Sequence, residues 1–106
     1  MLDLIQAYEN YLTKVKMASK NTVSSYLRDI RQFSDWLNDT EGVEVIDASQ
    51  LNISDYLKHL SSDGRSVATV SRAIASIKSL YSHLFIKQLI TVNPAQGLIP
   101  DKNTQK

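Results

Sequence analysis

A chain of 106 residues, 42% of them hydrophobic, is enough for one compact domain with a single core and too little for two. It has no cysteine, which excludes a disulfide framework and thiolate metal sites, and no apolar run near the roughly 20 residues that span a bilayer. Twelve basic and eleven acidic residues leave a net charge of +1, so any role with a polyanion must rest on how charge is distributed.

The amino terminus MLDLIQAYEN is amphipathic and carries acids where a secretory signal would be basic, which makes a cytoplasmic protein the expectation. A first helix is predicted from Leu2 to about Met17, with Leu4, Ile5, Tyr8, Tyr11, Leu12 and Val15 on one stripe. Its tyrosines have no His or Arg nearby in sequence to activate them and are assigned to packing. Ser19 is placed as the N-cap of a second helix running to Leu37, with Val23, Tyr26, Leu27, Ile30, Phe33 and Leu37 inward. Lys20, Asn21 and Thr22 fall in its first turn, where free backbone N–H groups and the positive dipole end make a phosphate site. The plainer reading of the same residues is capping by Ser19 or Asn21. Ser24, Ser25, Arg28, Arg31 and Gln32 cover the outer surface, and Trp36 sits on the edge of the apolar arc as a partly exposed packing residue with no second aromatic beside it.

Asn38 to Gln50 is acidic, contains Gly42 and has no sustained period, so it is predicted as a loop with an extended piece over Val43 to Ile46. Asn52, with Asp55 three residues on, is expected to cap a short third helix that buries Ile53, Tyr56, Leu57 and Leu60. A turn at Ser61 to Gly64 ends it, and Arg65 leads to a new N-cap at Ser66.

The fourth helix, Ser66 to Leu84 and onward to about Lys87, buries Val70, Ile74, Ile77, Leu80, Tyr81 and Leu84. Its other side carries Thr69, Arg72, Ala75, Ser76, Ser79, Ser82 and His83. Exposed helix faces are ordinarily filled by Lys, Glu and Gln, whereas Ser is a neutral to poor helix former. A face of short polar side chains with one Arg suits a helix that comes close to another surface, and a DNA major groove is one candidate. Asn93-Pro94 is expected to stop this helix, with Pro94 starting a short helical turn through Leu98. From Pro100 the chain reads as a linker, which suggests a longer parent protein.

Charge is blocked along this order. Lys14 to Arg31 holds five basic residues against Asp29, Asp35 to Asp55 holds six acids and no base, and Lys58 to Lys87 holds five basic residues against Asp63. If the basic blocks meet in space they form a positive face that the net charge conceals; the alternative is a set of separate solvated faces. No Gly-rich phosphate loop, metal-ligand spacing or nucleophile elbow is present. His59 and His83 each lie on an amphipathic helix, where a lone His is more often a surface or boundary residue than a base. By itself the sequence argues against an enzyme and for no cofactor.

Four stretches together resemble the amino-terminal core-binding domain of the tyrosine recombinases, the phage-integrase family, and its Xer-type members in particular. They are LIQAYENYL, SKNTVSSYLRDIRQFSDWL, TVSRAIASIKSLYSHL and VNPAQGLIP, in the family's order and spacing. The resemblance implies an all-α, compact four-helix SAM-like bundle over residues 1–99, with a short C-terminal helical turn, and a linker over residues 100–106 toward a catalytic domain that this chain lacks. It implies a module that clamps double-stranded DNA through its second and fourth helices, with the parent's catalytic domain and other protomers as further partners. The isolated fragment is expected to be monomeric and not membrane-bound. Carried over by position, Lys20, Asn21, Thr22, Ser25 and Arg28 would serve the second helix's contacts, and Ser66, Thr69, Arg72, Ser76, Lys78 and Ser79 the fourth's. Arg72 would take a base or a central phosphate. The alternative function is a helical protein–protein interaction module, since small-faced helices also pack against helices.

Overall fold

The computed structural model describes residues 2–97. Four helices form it: α1 (Leu2–Asn10), α2 (Lys20–Trp36), α3 (Gln50–Ser62) and α4 (Val67–Ile86). Among the described residues there is no β-strand. The all-α four-helix expectation holds. Helix α4 is central, packing against both α2 and α3, while α1 closes over α2.

The stripes read from the sequence supply the core. Ile5, Tyr8 and Leu12 meet Ile30, Phe33 and Leu37 of α2, Ile53, Tyr56 and Leu60 of α3, and Val70, Ile74, Ile77, Leu80, Tyr81 and Leu84 of α4. Each large side chain so buried contributes about 1.5–3 kcal/mol relative to an exposed one. Tyr81 is wholly buried and donates its hydroxyl to the Val45 carbonyl at 2.6 Å, tying α4 to the connector before α3.

The connections depart from expectation in instructive ways. The first helix does run on past Asn10, but as a π turn over Tyr11–Val15, with the Lys16 N–H bonded to the Tyr11 carbonyl at 3.0 Å. That wider turn rotates Val15 off the apolar stripe, and Val15 is exposed. Met17 then takes a left-handed φ of 51°, which reverses the chain toward α2. The loop expected from Asn38 is helical to Glu41, because a second π turn, Leu37–Glu41, keeps Leu37 in the core. Gly42 ends it at φ 65°, a conformation that favours glycine.

The extended piece expected at Val43 to Ile46 is instead a 3₁₀ turn, Val45–Asp47, which buries Val45. Helix α3 is capped by Ser49 and not by Asn52. Ser49 accepts from the Asn52 N–H at 3.2 Å and the Asn52 side chain accepts from the Ser49 N–H at 2.8 Å, a reciprocal capping box. Helix α4 begins at the predicted Ser66 cap but ends at Ile86, ahead of Asn93-Pro94. Gln88 at φ 63° and a Leu89 N–H bond to the Leu84 carbonyl at 3.0 Å terminate it. The short turn at Pro94 is present through Gly97, with Ala95 buried and its N–H on the Asn93 side chain at 2.9 Å. Leu98, at the expected end of that turn, and the proposed linker lie outside the described residues.

Candidate nucleic-acid interface

Helices α2 and α4 start with the same device. Ser19 accepts from the Thr22 N–H at 3.2 Å and Ser66 from the Thr69 N–H at 3.1 Å, and in each pair the hydroxyls also bond, at 3.0 and 3.1 Å. Ser66 and Thr69, expected as DNA contacts, therefore serve first as a cap, which contributes about 1 kcal/mol to helix stability. Lys20 and Asn21 are exposed in the first turn of α2, beside its positive end.

Between the amino-terminal half of α2, the first π turn and the middle of α4 lies an open groove of about 570 Å³. Its floor is Leu12, Tyr26 and Ile74, and its walls carry Lys16, Thr22, Lys78, Ser79 and Ser82. Of the residues expected from the sequence, this groove gathers Thr22, Lys78 and Ser79. Lys16 and Ser82 join them; Lys16 was readable only as part of a basic block, since a residue beyond a π turn has no predictable facing. Lys20 lies elsewhere, lining a smaller depression with Glu9, Thr13 and Ser24 toward α1. Arg28 is exposed and Ser25 half-buried on α2, outside the groove lining. None of the acids between Asp35 and Asp55 lines the groove.

The small-residue face of α4 divides in two. Ala75, Ser79 and Ser82 face the groove. Ala73 and Ser76 are buried instead, where short side chains let α2 and α4 approach. This corrects the reading of Ser76 as a DNA contact. It has no exposed surface, and its hydroxyl oxygen, with one hydrogen to donate, lies 3.2 Å from Asp29 Oδ2 and 3.1 and 3.0 Å from the Arg72 and Ala73 carbonyls. Asp29, the lone acid of the first basic block, is the reason: its buried carboxylate needs donors, and α4 supplies them.

Arg72 supplies the strongest. Nε donates to Asp29 Oδ2 and Nη2 to Oδ1, both at 2.9 Å, a side-on bidentate pair. Those bonds and the carboxylate's charge raise the Arg72 pKa further, so it stays cationic. The Arg72 side chain is 42% exposed and that of Asp29 6%. Arg72 thus reaches the surface with one edge committed to the fold.

His83 also differs from expectation. It is buried, not on the outward face, with its ring 4.6 Å from Tyr11 and 6.0 Å from Tyr8. Burial, reinforced by Lys87, lowers its pKa, and Nδ1 has no partner among the described residues. His59 is exposed beside Trp36 at 5.8 Å, and Tyr56 lies 5.3 Å from Trp36, so the half-buried Trp36 does have aromatic neighbours, from α3. Burial raises the pKa of Tyr8 and Tyr81 and pushes Tyr56 up to about 12, which keeps these phenols neutral and in their packing role. Among the described residues no group of acids and histidines could hold a metal ion, and no helix is long and apolar enough to cross a membrane.

Residues 5–88 match the family described as phage integrase, N-terminal SAM-like domain. A protein named as a tyrosine recombinase from Caldanaerobacter subterraneus is 38% identical over 97% of this chain and 35% of its own length. Tyrosine recombinase XerD of Chlorobaculum tepidum is 31% identical over 89% of the chain and 31% of its own length. Tyrosine recombinase XerC of Pediococcus pentosaceus is 26% identical over 99% of the chain and 35% of its own length. The chain spans about a third of the length of these relatives. No solved structure matches it.

Proposed function

The chain belongs to the phage integrase N-terminal SAM-like domain family, and from that membership we propose that it is the DNA-binding amino-terminal module of a site-specific tyrosine recombinase. It holds duplex DNA on the α2–α4 side and supports strand exchange performed by a catalytic domain elsewhere in the parent chain. Other protomers of the recombination complex are its further partners, and its place of action is the cytoplasm. The observation that carries this reading is the groove between α2 and α4, polar along its walls, lined by Lys16 and Lys78, and bordered by no acid of the acidic block.

Backbone contacts come from Lys16, Lys20, Asn21, Thr22, Ser25, Arg28, Lys78 and Ser79, with the capped starts of α2 and α4, including Ser66 and Thr69, set against phosphates. Arg72, 42% exposed on α4, contributes hydrogen bonds from the part of its guanidinium that Asp29 leaves open. Groups of this kind position a protein on the duplex, and base choice falls to the few side chains that reach base edges.

The test is a salt titration of duplex binding. A clamp that neutralises about four phosphates loses affinity with a log–log slope near −3.6, from a non-specific Kd of roughly 10⁻⁴ to 10⁻⁶ M near physiological salt. A second reading, a protein-interaction module, draws on exposed Val15 and Leu89 around a depression that also includes His83 and Lys87. Absence of duplex binding at low salt, together with salt-insensitive association with a protein, would favour that second reading.

A further inference from the structure

Arg72 is the cation in the middle of the small polar face of α4, yet one side of it is already committed to the fold. Its Nε and Nη2 are each 2.9 Å from the Asp29 carboxylate, and that carboxylate also lies 3.2 Å from the Ser76 hydroxyl. A guanidinium has five N–H groups in a rigid plane. Two are taken by Asp29, which leaves the pair on Nη1 and one on Nη2, on the remaining edges of the plane. Because Asp29 is buried in α2 and Ser76 in α4, that plane is fixed by both helices and not by a flexible side chain. Opposite unit charges held at hydrogen-bond distance also present almost no net charge to a third body beyond them.

Granted the DNA-binding role proposed above, we propose that Asp29 is a positioning residue that converts Arg72 from a phosphate counter-ion into an oriented, charge-neutralised hydrogen-bond donor. The distinction has a measurable signature. The salt dependence of binding counts the net positive charge brought to the phosphates, about 0.9 in log–log slope for each one neutralised. Lys16 and Lys20 are cations of that kind. The Arg72–Asp29 pair adds donors and direction but nothing to the slope, so Arg72 strengthens binding equally at all salt concentrations.

The experiment uses the full chain, a fluorescein-labelled 30-base-pair duplex of random sequence, and anisotropy titrations from 50 to 200 mM KCl. Asp29→Asn frees the guanidinium's charge, and its slope should steepen by about 0.9 relative to the parent chain. The double variant Asp29→Asn/Arg72→Gln keeps a neutral, hydrogen-bonding pair of similar size. Its slope should equal the parent's while its affinity falls by about tenfold at every salt concentration. Circular dichroism melts establish that each variant is folded at the assay temperature. If Asp29→Asn is not, the double variant decides alone. An unchanged slope in a folded Asp29→Asn, or a slope shallower by about 0.9 in the double variant, overturns the proposal, because either makes Arg72 an ordinary phosphate cation. A parent chain that binds no duplex at 50 mM KCl removes the DNA-binding role itself, and this inference with it.

Discussion

Arg72→Ala should destabilise the fold more than Asp29→Ala, although both break the same ion pair. With Arg72 gone, Asp29 is left as a carboxylate whose side chain is 6% exposed, with the Ser76 hydroxyl, itself shared with the Arg72 and Ala73 carbonyls, as its remaining side-chain donor among the described residues. Removing one partner of a buried pair costs roughly 3–5 kcal/mol, and the open side of this pair places the loss near the bottom of that range, at about 3 kcal/mol. With Asp29 gone, the guanidinium is already 42% exposed and can turn into water, while Ser76 keeps the Arg72 and Ala73 carbonyls as acceptors. That loss should be about 1 kcal/mol, in the range of exposed pairs. Urea unfolding at pH 7, followed by circular dichroism at constant m-value, measures both. The double variant should be more stable than Arg72→Ala alone, since it removes the stranded charge. Equal losses, or a larger one for Asp29→Ala, would refute the assignment of Asp29 as the buried and Arg72 as the hydrated partner.

Tyr81→Phe removes one of two donors to the buried Val45 carbonyl, which keeps the Ala48 N–H at 3.2 Å, and should cost about 0.5–1.5 kcal/mol in the same urea assay, without changing duplex affinity. His83 has its pKa lowered by burial and by Lys87, so the folded state resists a proton that the unfolded chain accepts near the ordinary His value of about 6.5. Its contribution to stability is therefore complete above that value and is lost as pH falls through the lowered folded-state pKa. His83→Phe should flatten the stability profile across that acid limb, and parallel profiles for the two proteins would count against a buried neutral His83. Ser66→Ala should cost about 1 kcal/mol by uncapping α4, and a thermal melt unchanged from the parent would show that the Thr69 N–H finds another acceptor.

Much of the fold was legible because period and capping are local properties. The stripes through Ile30, Phe33 and Leu37 and through Ile74, Ile77 and Tyr81 follow from spacing alone, as do the caps at Ser19 and Ser66. The two π turns were not legible, since nothing in Tyr11–Val15 or Leu37–Glu41 distinguishes a widened turn from an α-helical or loop one. They are set by which residues the core holds, and one of them also decides where Lys16 points.

At the site, the sequence indicated the right two helices but not the division of α4's small residues. Ser76 and Ser79 are equivalent by composition and flank Arg72 on opposite sides of a helical wheel, at about 40° and about 20° from it. Only the position of Asp29, 47 residues before Ser76, makes one a buried hydroxyl and leaves the other at the groove. The Arg72–Asp29 contact spans 43 residues and belongs to the packing of α2 on α4, which no local pattern contains.

In the proposed function, DNA lies along the α2–α4 groove. A ¹⁵N-labelled chain titrated with a 20-base-pair duplex at low salt tests it directly. The backbone amides of Thr22, Ala75, Ser79 and Ser82, which line the groove, should shift together, while those of Glu44 to Asp55 stay in place. Shifts confined to that acidic segment, or none anywhere, would contradict it.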